Sequence, residues 1–198
     1  MRKKLGIVCM ILSVVFLAGA LTLFLWNQDQ ANEAERASMA VIPLLKEAIA
    51  QGEEEPGTPT EPILQEKTQM TEVEIDGYHY IGYVSIPAHT LELPVMSQWD
   101  HTRLEIAPCR FSGTTMEENL VVIGHSYRRH FAALNQLRVG DEVRFTDMDG
   151  VTTLYQVEAV DVVLPSAVEE VTAGFFDLAL VTCTYSGGTR VVVYCDAQ

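Results

Sequence analysis

From about Val73 onward the chain reads as short apolar and alternating runs separated by turn residues. "HYIGYVSIPA" and "LELPVMS" are rich in β-branched and aromatic residues and predict two strands. "LVVIGH", Leu120 to His125, is an apolar strand after an acidic, turn-rich stretch that ends at Asn119. "FAALNQL", Phe131 to Leu137, has helical spacing. "RVGDEVRFTD" and "VTTLYQVEAVDVVLP" flank Met148-Asp149-Gly150, where Asp-Gly signals a hairpin. "DLALVTC" and "TRVVVYC" close the pattern. Eight or so short strands in about 125 residues, with one or two short helices, predict an all-β domain closed into a barrel.

The upstream pattern is different. Leu5 to Trp26 holds 22 residues without a charge, preceded by "RKK". That length spans a bilayer core as a helix, and the flanking charges place residues 1–4 in the cytoplasm. Ala18-Gly19-Ala20 resembles a signal-peptidase site, but "LTLFLW" prolongs the apolar run beyond it, which favours an uncleaved anchor. Gln30 to Gln51 has helical composition, with Pro43 expected to break or kink it, and reads as a stalk or a helix lying on the domain. Gly52 to Glu72 is acidic, carries Pro56, Pro59 and Pro62, and reads as a tether. The expected organisation is therefore a cytoplasmic 1–4, an anchor 5–26, a helix and tether 27–72, and an extracellular domain 73–198.

Charge and cysteine content narrow the function. The chain has 13 basic and 27 acidic residues; Arg2, Lys3 and Lys4 are among the basic ones, and every acid lies beyond Trp26. Such a surface repels phosphate backbones, so no nucleic-acid partner is expected. No phosphate loop, dinucleotide fingerprint or structural zinc spacing occurs. Cys9 lies in the apolar segment, leaving Cys109, Cys183 and Cys195, an odd number, beyond it.

Cys183 closes one strand and Arg190 opens the next. With an even number of loop residues, the two side chains share a face of the hairpin. A two-residue Gly187-Gly188 turn makes them diagonal neighbours; a six-residue loop sets them directly opposite. A thiol needs deprotonation to act as a nucleophile, commonly by a histidine. Of His79, His89, His101, His125 and His130, only His125 ends an unbroken apolar strand before a polar loop. The plainer alternatives are a rim histidine bonded to backbone, a buried thiol and a surface arginine.

Together these residues are similar to the sortases, membrane-anchored cysteine transpeptidases of Gram-positive surfaces. "IGYVSIPA" resembles the family's opening strand, "VVIGHS" its histidine strand, and "FAALNQLRVGDEVRF" the helix and strand that follow. "LVTC" and then "GGTRVVV" resemble the closing signature. Ala179 stands where many members carry threonine, while Leu180, Thr182 and Cys183 match.

The resemblance implies an eight-stranded sortase barrel with Cys183 as nucleophile, His125 as general acid and base, and Arg190 holding substrate and oxyanion. It implies cleavage after the threonine of a Leu-Pro-any-Thr-Gly-like signal on surface proteins. The acyl group would pass to an amine of a cell-wall precursor or a pilin. The chain ends at Gln198 without a second membrane helix, and the tether has no evident lid motif, which points to a wall-anchoring type over a pilin polymerase. Pro165 to Asp177 is expected to line the signal groove. No cofactor is expected. Glu169 and Glu170, with Glu117 and Glu118, suggest calcium as in some relatives, against the plainer reading of solvated glutamates. Two other readings are a non-catalytic tethered β-domain that binds a surface partner, and a domain stapled by a bridge from Cys109 or Cys183 to Cys195.

Overall fold

The computed structural model describes residues 2–54, 69–127, 130–184 and 186–198. A long helix, α1 (Arg2–Glu54), leads into nine strands. These are β1 (Val73–Ile75), β2 (Tyr78–Ile86), β3 (Leu91–Met96), β4 (Cys109–Ser112) and β5 (Leu120–Ile123), followed by β6 (Glu142–Asp147), β7 (Thr152–Val163), β8 (Leu178–Cys183) and β9 (Arg190–Ala197). Short helices α2 (His101–Ile106) and α3 (Val168–Val171) and a 3₁₀ turn at Phe131–Gln136 sit between strands.

The strand order is β2-β3-β4-β5-β8-β9-β7-β6, and β6 pairs back onto β2, so eight strands close a barrel while β1 adds to the start of β2. Alternation then sorts side chains between two apolar regions. Leu120, Val122, Leu178, Leu180, Val191, Val193 and Cys195 fill the interior with Phe131, Phe145 and Tyr155. Val121, Ala179, Val181, Val192 and Tyr194 form a second apolar cluster on the opposite, outer face of β5, β8 and β9. An outer face this apolar is unusual for a barrel in water, and a groove overlies it.

The expected strands are all present. Four elements went unforeseen: the three-residue β1, the four-residue β4, α3, and α2, which Asp100 starts by accepting a hydrogen bond from the Arg103 N–H at 2.7 Å. The helix expected over Gln30 to Gln51 is part of the single α1, and Pro43 does not break it. Pro43 faces solvent, where water can reach the carbonyl one turn earlier. On the opposite side Ser38, Val41, Ile42 and Leu45 are buried, at the spacing of one helical face. Val41 and Leu45 pack with Tyr80, Met96 and Cys109 on the barrel. Much of the expected tether lies outside the described residues. Among the described residues no helix is long and apolar enough to cross a membrane, and the Leu5–Trp26 segment falls partly outside the described side chains.

Barrel closure depends on Gly82. Its φ is +144°, it pairs with Asp147 across the β2–β6 seam, and an added Cβ would lie 2.1 Å from the Thr146 carbonyl oxygen. No side chain rotation relieves a clash between Cβ and backbone. Gly82→Ala is therefore expected to lower stability by about 3 kcal/mol, read as a reduced urea midpoint. An unchanged midpoint contradicts this account of the seam.

Candidate active site

β5 and β8 run parallel with Ile123 opposite Val181. The pairing continues past the strands: the Gly124 N–H donates to the Val181 carbonyl at 3.0 Å, and Thr182 Oγ1 donates to the Gly124 carbonyl at 2.8 Å. Two residues on from Ile123 and Val181, His125 comes level with Cys183 on the same outer face. On the other side of β8, β9 is antiparallel and pairs Arg190 with Cys183. Adjacent strands lie about 4.8 Å apart. His125, Cys183 and Arg190 thus occupy one row across three neighbouring strands, with the thiol in the middle.

The connecting loop, Thr184 to Thr189, has six residues, so Cys183 and Arg190 are directly opposite. The Thr184 N–H donates to the Thr189 carbonyl at 3.1 Å and the Gly187 N–H to the Thr184 carbonyl at 2.8 Å. Gly187 has φ +72°, a conformation suited to glycine. Arg190 Nη1 donates to the carbonyls of Gly187 at 3.2 Å and Thr189 at 3.1 Å, which restrains the guanidinium at the hairpin mouth. On the histidine side, Gly124 lets Phe131 approach: an added Cβ would meet its ring carbon at 2.8 Å. The Phe131 N–H donates to the His125 carbonyl at 3.1 Å.

All three residues line one groove of about 410 Å³ on the outer face. Val121, Ile123 and Val181 form its apolar floor. Pro165 and Val168, from the segment expected to line a substrate groove, form one wall together with the preceding Leu164. The other wall was not foreseen. It comes from Trp99, whose ring lies 5.7 Å from that of Phe111, and from His101 and Leu104 of α2. The Asp100 cap signal could have revealed α2 in the sequence, but not its place beside the groove.

Burial separates the three thiols. Cys109 and Cys195 are wholly buried, and desolvation pushes each pKa up to about 12, which keeps them as neutral thiols. Cys183 is partly exposed in the groove. All three are free, so the expected alternative of a bridge to Cys195 is overturned. The physical reason is alternation: Cys195 opposes Leu178 inside the barrel, whereas Cys183 opposes Arg190 outside it.

His125 is half-buried and its ring stacks on Tyr127, with centroids 4.8 Å apart. Desolvation lowers its pKa from the ordinary value; the Glu105 charge opposes that shift and His101 adds to it. The imidazole is therefore held neutral near pH 7. Among the described residues no group of three or more His, Cys, Asp or Glu side chains converges as a metal ion needs, Glu117, Glu118, Glu169 and Glu170 included.

Residues 84–198 match the Sortase domain family model. No curated protein matches the chain. Among solved structures, sortase C1 from Streptococcus agalactiae is 26% identical, with a TM-score of 0.56 over 63% of this chain and 70% of that one. Sortase C1 from Streptococcus suis is also 26% identical, with a TM-score of 0.54 over 60% and 73%. A Clostridium perfringens sortase D5 transpeptidase is 18% identical and shares the fold, with a TM-score of 0.57 over 84% and 99%. A family model covering more than half of the chain, on a barrel that sets a thiol, an imidazole and a guanidinium in one row, places this protein in the sortase family of cysteine transpeptidases.

Proposed function

We propose that this sortase cleaves a Leu-Pro-any-Thr-Gly-like sorting signal after its threonine and transfers the surface protein to an amine of a cell-wall precursor. The observation that carries the reading is the row His125–Cys183–Arg190 above an apolar groove open enough for an extended peptide. The Leu5–Trp26 segment would anchor the enzyme in the membrane, with residues 1–4 cytoplasmic and the catalytic domain outside. A second reading, transfer to a pilin lysine, is favoured by the 26% identity to the two sortase C1 structures.

In the proposed reaction, neutral His125 takes the Cys183 proton as sulfur attacks the threonine carbonyl carbon. Arg190 holds the negative charge that develops on the carbonyl oxygen. As the carbon–nitrogen bond breaks, the imidazolium returns its proton to the leaving amine, and a thioester remains on Cys183. The acceptor amine then attacks the thioester and loses a proton to His125, which passes that proton to the departing sulfur, leaving an amide and a free thiol. An acceptor assay with a cell-wall stem peptide against a lysine-bearing pilin domain distinguishes the two readings.

Cys183→Ala is expected to abolish cleavage across a sorting-peptide library while melting stays near wild type, and Cys195→Ala is expected to retain substantial cleavage. Equal losses would mean that the wrong thiol has been assigned. Arg190→Lys keeps the charge but loses the planar fork, and should lower turnover roughly 10²–10³-fold. A lysine variant with wild-type turnover removes Arg190 from the oxyanion role.

A pH effect follows from His125. Its folded pKa is depressed, so the unfolded chain binds its proton more readily. The stability it contributes is fully present above its unfolded value, about 6.5, and is lost as pH falls through the lower, folded value. Thermal melts of the wild type should fall over that range, and His125→Gln should flatten the fall. Identical pH profiles contradict the burial assigned to His125.

A further inference from the structure

Ser38 is the polar member of the buried stripe on α1, and it is only 2% exposed. Its hydroxyl donates to the Ile106 carbonyl, at the end of α2, at 2.8 Å. The same oxygen lies 3.2 Å from Nε2 of His130, whose side chain is 1% exposed. A hydroxyl has one hydrogen. With that hydrogen on Ile106, the oxygen can only accept from His130, so Nε2 carries the ring proton. Ser38 thereby joins the stalk helix to α2 and to the loop that follows the histidine strand.

The join continues towards the groove through three rings. The His130 ring lies 5.7 Å from that of Tyr127, and the Tyr127 ring stacks on His125 at 4.8 Å with planes 28° apart. The backbone closes the same turn: the His130 N–H donates to the Tyr127 carbonyl at 2.9 Å, and the Phe131 N–H to that of His125 at 3.1 Å. The outer end of this chain is a helix surface. The inner end is the imidazole level with Cys183.

We infer that Ser38 is a positioning residue for His125: by holding His130, it sets the Tyr127 ring against the His125 imidazole and fixes that imidazole's orientation towards Cys183. The inference rests on the proposed role of His125 in proton transfer. Its consequence is that the docking of α1 on the barrel is part of assembling the active site. A small misorientation of a proton-transfer group slows the chemical steps more than it weakens substrate binding.

The test uses the full-length chain purified in detergent, with a sorting peptide as substrate. Ser38→Ala is expected to lower kcat about tenfold while KM changes less than about twofold. The His125 ring signals in histidine-labelled NMR spectra are expected to shift. Tyr127→Leu breaks the chain at its middle and should give the same loss, whereas Tyr127→Phe keeps the ring and should recover most of it. The double variant Ser38→Ala/Tyr127→Leu should be no slower than the slower single one, because both break one chain. Wild-type kcat in Ser38→Ala, an unmoved His125 signal, or fully additive losses would overturn the inference. A wild-type enzyme without Cys183-dependent cleavage would overturn the underlying reading as well, an outcome distinct from normal cleavage that ignores Ser38.

Discussion

The parallel pairing of β5 with β8 is the constraint on which the site depends. Parallel strands cannot be joined by a tight hairpin, so their register is set by packing and hydrogen bonds formed late in the chain's path. Here Leu120 opposes Leu178 inside the barrel, and the two hydrogen bonds of Gly124 with Val181 and Thr182 extend the register beyond the strand ends. A slip of one residue would turn His125 to the other face and leave Cys183 with Arg190 alone. Thr182 has one side chain with two duties. Its buried position packs towards the interior, and its hydroxyl ties the thiol strand to the residue before the histidine.

The same alternation decides which thiol opens onto the groove. β9 carries Arg190, Val192 and Tyr194 outward and Val191, Val193 and Cys195 inward. Cys195 is a small apolar filler with its pKa raised by burial, and Cys109 is another beneath α1. The reactivity proposed for Cys183 needs no exotic device. It needs a partly open groove, a neutral imidazole on one side and a fixed cation on the other. The helix α1, through its buried face, closes the side of the barrel that carries the histidine loop.

Much of the fold was legible because its strands are short and bounded by turn residues; Asp149-Gly150, for example, marks the β6–β7 hairpin. The Cys183–Arg190 pair was legible too, since parity across a hairpin is a local property, and the six-residue loop satisfies it. His125 could be chosen from its strand but not placed, because its neighbour β8 is more than 50 residues away and pairs in parallel. β4 and the Trp99 wall were missed for related reasons. β4 is four residues long, and its pairing with β3 is a single parallel contact, Met96 with Cys109. Of the break or kink expected at Pro43, the break does not occur: a proline on a solvated helix face costs less than one in a packed interior, and the helix continues.

The central claim is that the thiol on the outer face, and neither buried one, carries the acyl group. Incubation of the enzyme with a sorting peptide, acid quenching and peptide mapping by tandem mass spectrometry test it directly. The expected result is an adduct on the fragment containing Cys183, with the mass of the peptide up to its threonine carbonyl. An adduct on Cys109 or Cys195, or sustained cleavage with no adduct on any cysteine, would contradict the account.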